Sequence, residues 1–161
     1  MNKKTSSKKE KTSISASEVK KLRGETGAGI MDCKSALEEA KGDFEKAKKI
    51  IAKKGMEKAS KKQERETCQG YVATYTHLTG KVGAIVEVLC ETDFVGRNED
   101  FRNFAKEICL QIAAMNPKND KELLKQEYIR DPSLTIEEFL KSHIAKFGEN
   151  IRIRNFQRFE I

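Results

Sequence analysis

Apolar residues recur in two different rhythms along the chain. Up to residue 55 they return every three or four positions in short bursts broken by glycine. Ser15 and Glu18 form an S-x-x-E capping box, in which each side chain satisfies the other residue's backbone amide, with Ile14 and Val19 stapled across it. The spacing predicts a helix running to about Arg23 and broken by the glycine-rich GETGAG of residues 24–29. A second helix carries Met31, Ala36, Leu37 and Ala40 and stops at Gly42. A third, capped by Asp43, carries Phe44, Ala47, Ile50 and Ile51 and stops before Gly55. Three short helices make a miniature bundle that buries little apolar surface.

The stretch MEKASKKQERE, residues 56–66, has high helical propensity and almost no apolar stripe, which suits an exposed connector. Beyond it the period changes to two. Residues 71–78 are rich in Tyr, Val and Thr, Gly80 marks a turn, and Val82, Ala84, Val86, Val88 and Cys90 alternate onto one face, predicting an antiparallel hairpin. From the N-cap Asn98, Phe101, Phe104, Ala105, Ile108, Cys109, Ile112 and Ala113 follow a helical stripe that must cover that hairpin. A weaker helix is expected around Leu123, Leu124 and Tyr128, ending at Asp131-Pro132. Thr135 and Glu138 cap another, with Ile136, Phe139, Leu140, Ile144 and Phe147 inside it and Gly148 closing it. The closing ENIRIRNFQRFEI alternates apolar with charged residues and is expected to join the hairpin's sheet as a strand.

The expected fold class is therefore α+β: a three-helix bundle, then a small antiparallel sheet of hairpin and C-terminal strand covered by helices. The expected partition is a disordered basic tail at 1–13, the bundle at 14–55, a linker at 56–66 and the α+β core at 67–161.

Composition sharpens this picture. Residues 1–66 hold 19 Lys and Arg against 11 Asp and Glu, whereas residues 67–161 hold 13 against 14, so the net charge of +7 belongs to the front. A basic front admits nucleic acid or an acidic protein as partner. Its lysines alternate with acids and have no aromatic platform, which weighs against nucleic acid; a ribosome- or RNA-associated module using the basic front stands as the alternative reading. No apolar run approaches the roughly 18 residues of a membrane span. The four cysteines, Cys33, Cys68, Cys90 and Cys109, show no CxxC and are read as buried, reduced thiols. With no apolar signal core near Met1, the expected location is the cytoplasm.

Catalytic chemistry finds no candidates. GETGAG lacks the Lys and Ser/Thr of a phosphate-binding loop and follows a helix rather than a strand. The two histidines, His77 and His143, have no ligand at metal-binding spacing. There is no nucleophile elbow and no isolated carboxylate pair, so neither an enzyme site, a metal nor a cofactor is expected.

Two segments carry more information. KLRGETGAGIMDCKSAL, residues 21–37, and EVLCETDFVGRN, residues 87–98, resemble the two signature segments of the bacterial translation elongation factor Ts family, in the same order. The resemblance extends from about Ser15 to Pro117 and resumes in GENIRIRNFQRFEI. It implies a guanine-nucleotide exchange factor that binds elongation factor Tu, both GDP-bound and nucleotide-free, and binds no nucleotide itself. It implies a bundle of the ubiquitin-associated (UBA-like) type whose Arg23, Ile30 and Met31 contact the GTPase domain of Tu. It implies that Thr92, Asp93, Phe94 and Val95 form a tip, with the Phe94 ring entering an apolar cleft of the GTPase and shifting an element that holds Mg²⁺. On spacing alone Phe94 is also readable as a core residue, Asp93 as a capping acid, Arg23 as a helix C-terminal cation and Met31 as bundle core. Long family members carry a second core subdomain where this chain has only about 30 residues between Asn116 and Glu149; some short members pair as homodimers, and the terminal strand offers an edge that a second copy could extend.

Overall fold

The computed structural model describes residues 14–161, so the expected basic tail lies outside the described residues. The described residues divide into two compact units, the first ending at Lys53 and the second spanning Lys54–Ile161. In the first, helices α1 (Ala16–Thr26) and α2 (Ile30–Glu39) pair with the start of α3 (Phe44–Ser60). The Ser15–Glu18 capping box is formed, and Gly27 takes the left-handed conformation at φ 68°, closing α1 three residues later than the pattern suggested. Leu22, Cys33, Ala36, Leu37 and Ala47 are the sealed centre, flanked by Phe44, Ile50 and Ile51.

The third helix does not stop before Gly55 but continues to Ser60, so part of the expected connector is helical. Ala59 is fully buried in the core of the second unit. A Cβ on Gly55 would stand 3.1 Å from the Ala145 methyl, so this glycine serves close packing rather than helix termination.

In the second unit β1 (Gln69–Thr76) and β2 (Val82–Cys90) form the hairpin. The short helix α4 (Asp93–Arg97) and the long α5 (Glu99–Met115) follow. Then come α6 (Asp120–Lys125), a two-stranded ribbon of β3 (Glu127–Tyr128) and β4 (Asp131–Thr135), α7 (Ile136–Phe147) and β5 (Arg152–Glu160). The sheet order is β1-β2-β5, antiparallel throughout, with β2 central. As the alternation requires, Ala84, Val86, Val88 and Cys90 point inward onto Phe101, Phe104, Ile108 and Ile112 of α5. Between Val86 and Val88 the register slips, setting Arg154 and Asn155 opposite Glu87, whose carboxylate accepts from both at 3.3 and 2.9 Å.

The weak helix expected to run through Tyr128 ends at Lys125 instead. Tyr128 ends the first strand of the ribbon, anchored by the buried Gln111, whose side chain donates to Glu127 O at 3.0 Å and accepts from the Ile129 N–H at 3.0 Å. Burial overrides helical propensity here, because an amide sealed inside must find both its partners. Cys33, Cys90 and Cys109 are buried as expected, but Cys68 is exposed, since it precedes β1 at the sheet's margin.

Candidate functional site

The predicted site residues belong to both units. In the first, the GETGAG turn is tied down from within: the Thr26 hydroxyl donates to Leu22 O at 2.7 Å and the Gly27 N–H to Arg23 O at 2.8 Å. This turn starts α2 with two outward-facing apolar side chains, Ile30 at 55% and Met31 at 74% exposure, which excludes the core reading of Met31. Beside them lies a depression of about 400 Å³ lined by Ile14, Val19, Lys20, Arg23, Ile30 and Lys34, apolar at its floor and basic at its rim. Arg23 is exposed on that rim.

In the second unit the tip is built where β2 ends. Thr92 takes an extended conformation as N-cap of α4, at φ −122° and ψ 156°, and α4 then projects five residues before Asn98 caps α5. The Phe94 ring is 84% exposed, so it is no part of this molecule's interior. Asp93 is half-buried, and its carboxylate pairs with Arg97 one turn later at 3.1 Å. Val95 faces the other way and packs, partly buried, against the core. The amphipathic split explains the juxtaposed acid and ring. Val95 seats the helix while Asp93 and Phe94 are presented to the outside.

Two glycines allow α4 to sit down on β1. A Cβ at Gly96 would meet Gly70 O at 3.3 Å and Cys90 Sγ at 3.6 Å. Beneath the tip the Cys90 thiol donates to Thr92 O at 3.1 Å; burial, with help from the neighbouring Glu149 charge, pushes this thiol up to about 11. Glu149, in the turn after α7, accepts from the Glu91 N–H at 3.1 Å and the Thr92 N–H at 3.0 Å with one carboxylate oxygen, and from the Thr92 hydroxyl at 2.6 Å with the other. Glu91 returns the contact by accepting from the Asn150 N–H at 2.6 Å.

Sequence reasoning missed Cys90 and Glu149 as supports of the tip. The only local signal was GEN following a helix stop, and the pairing it makes lies 57 residues away along the chain. Among the described residues no group of three or more His, Cys, Asp or Glu is placed to hold a metal ion, and no helix is long and apolar enough to cross a membrane.

Known proteins resemble this chain along most of its length. The family model for elongation factor TS matches residues 91–161, a span that begins at the strand-to-tip junction. Elongation factor Ts of Caldanaerobacter subterraneus subsp. tengcongensis is 46% identical over 91% of this chain and 96% of its own length. That of Thermoanaerobacter sp. (strain X514) is 44% identical over 91% and 94%. The chloroplastic elongation factor Ts of Rhodomonas salina is 40% identical over 92% and 89%. The first of these alignments runs over 192 positions against a chain of 161 residues, so that relative carries residues absent here. On identity and coverage together, the chain belongs to the elongation factor Ts family.

Proposed function

We propose that the chain is a guanine-nucleotide exchange factor for elongation factor Tu, acting by insertion of the Asp93–Phe94 tip near the nucleotide and Mg²⁺ of the GTPase. The observation that carries this reading is the phenyl ring held 84% exposed on a short, well-seated helix, in a chain of this family. A ring exposed in the free chain adds nothing to its stability and keeps its whole burial free energy for a partner that covers it.

The two surfaces divide the work thermodynamically. Contacts through Arg23, Ile30 and Met31, which do not depend on the nucleotide state, set affinity without favouring release. A ring that finds its cleft only in a distorted GTPase does favour it, because a partner can shift an equilibrium only by its differential affinity. Burying a Phe side chain supplies about 1.5–3 kcal/mol, and reciprocity requires GDP and Mg²⁺ to be weakened by the same amount, roughly 10- to 150-fold. Asp93 adds to that difference by meeting groups that otherwise serve the nucleotide. The exchange factor forms no covalent bond and binds no nucleotide of its own. Its place of action is the cytoplasm, where translation supplies Tu. Strand β5 is an edge of the sheet, which leaves pairing with a second copy open to the chain.

Release of a fluorescent GDP from purified Tu tests the reading. Acceleration that saturates with chain concentration is expected, and a release rate unchanged at all concentrations overturns it.

A further inference from the structure

Thr92 is the residue on which the tip hinges, and its polar groups are all held by other parts of the second unit. As an N-cap threonine it would ordinarily turn its hydroxyl onto the first turn of α4, yet it makes no such capping bond. The hydroxyl donates instead to Glu149 at 2.6 Å, the N–H donates to the same carboxylate at 3.0 Å, and the carbonyl accepts from the Cys90 thiol at 3.1 Å and the Gly96 N–H at 3.2 Å. The carboxylate also takes the Glu91 N–H, so one side chain gathers three donors from two consecutive residues. Bonds to an ionised acceptor are the stronger kind. The reciprocal bond from the Asn150 N–H to Glu91 fastens the turn that carries Glu149 to the same strand end, and Arg65, whose carbonyl accepts from the Asn150 side-chain amide at 2.7 Å, pairs with Glu91 at 3.6 Å.

We propose that Glu149 is a positioning residue for nucleotide exchange: by clamping Glu91 and Thr92 it fixes the direction in which α4 leaves the sheet, and with it the placement of Asp93 and Phe94. The inference rests on the exchange reading above. Both carboxylate oxygens of Glu149 are engaged by Glu91 and Thr92, so it acts through Thr92. Its effect belongs to the maximal release rate, which depends on the ring being correctly aimed. The half-saturating concentration is dominated by the contacts of Ile30 and Met31. A ring that misses its cleft forfeits the burial that drives release, a loss of about tenfold or more.

The test compares the full chain with Glu149→Gln and Glu149→Asp in saturating GDP-release kinetics, beside amide hydrogen exchange of the free chain. Glutamine keeps the volume but presents one acceptor oxygen and an N–H₂ group to a cluster of donors. Aspartate keeps the charge but withdraws it by one methylene. Both variants are expected to lose at least about tenfold in maximal rate with the half-saturating concentration changed less than about threefold, and to exchange the Glu91 and Thr92 amides faster. Ile136→Val, a buried change elsewhere in the unit, serves as a control that lowers stability without touching the clamp and keeps the wild-type rate.

Full activity of Glu149→Gln, or full activity of Glu149→Asp, which would reduce the role to local charge, overturns the proposal. So does unchanged protection of the two amides. Should a variant fail to fold, Thr92→Val removes only the hydroxyl bond and is expected to lose part of the maximal rate; no loss there also overturns the proposal. A wild-type chain that accelerates nothing refutes the exchange reading instead, and amide protection then decides the clamp alone.

Discussion

Asp93 and Arg97 form an ion pair across one turn of α4, at 3.1 Å, with Arg97 largely in solvent and Asp93 half-exposed. The pair orients the tip's carboxylate but is held in high dielectric, where such pairs contribute little to stability. Arg97→Ala is expected to change the unfolding free energy by less than about 0.5 kcal/mol, measurable by denaturant titration. If the pair steadies Asp93 for its partner, the same variant shows a steeper dependence of GDP release on salt, since the freed carboxylate is then fully screened.

Gly70 bears on stability more than its exposed position suggests. A Cβ there would lie 2.2 Å from Val88 O and 2.9 Å from Leu89 Cα, both backbone atoms of the central strand. Neither atom can move without opening the ladder. Gly70→Ala is expected to destabilise the second unit by about 2 kcal/mol or more, seen as a lowered midpoint in thermal unfolding.

Acid should weaken the second unit through His143. Its ring lies among Phe104, Phe139 and Phe147, with Asp100 and Lys146 the charged groups that act on it. Burial holds its pKa below the ordinary 6.5. The unfolded chain therefore binds the proton more readily than the folded one. The contribution is fully present above pH 6.5 and is lost as pH falls through the folded value, at no more than about 1.4 kcal/mol per pH unit. In His143→Phe that part of the acid slope disappears, which stability measurements from pH 7.5 to 5 would detect.

Thiol labelling should separate the cysteines. Burial raises the Cys90 and Cys109 thiols to about 11, whereas Cys68 is exposed. At pH 8 the native chain is expected to react quickly at Cys68 alone, with the other three reacting only on unfolding.

How much of this was legible in the sequence depends on the range of the forces involved. The α5 stripe, both capping boxes and the hairpin alternation are local patterns, and each formed where its residues indicated. Phe94 and Asp93 were singled out by the resemblance; only the geometry removed the core reading of the ring. What escaped depends on distant partners. Gly55 looks like a stop signal until Ala145 is placed beside it, Gln111 looks like a surface residue until the β3–β4 ribbon needs both ends of its amide, and Glu149 looks like a loop acid until Thr92 arrives. The α4 helix was missed because its five residues are too few to show a period.

The central claim is that the Phe94 ring is spent on a partner and not on this molecule's own stability. Stopped-flow release of fluorescent GDP from elongation factor Tu, run with wild-type chain and with Phe94→Ala beside their thermal melts, tests it most directly. The expected result is a melting temperature within about 2 °C of wild type, with the accelerated release reduced at least tenfold, on the order of the 1.5–3 kcal/mol carried by a buried phenyl ring. A variant that releases GDP as fast as wild type, or one whose loss of release is matched by a collapse of the melt, contradicts the account.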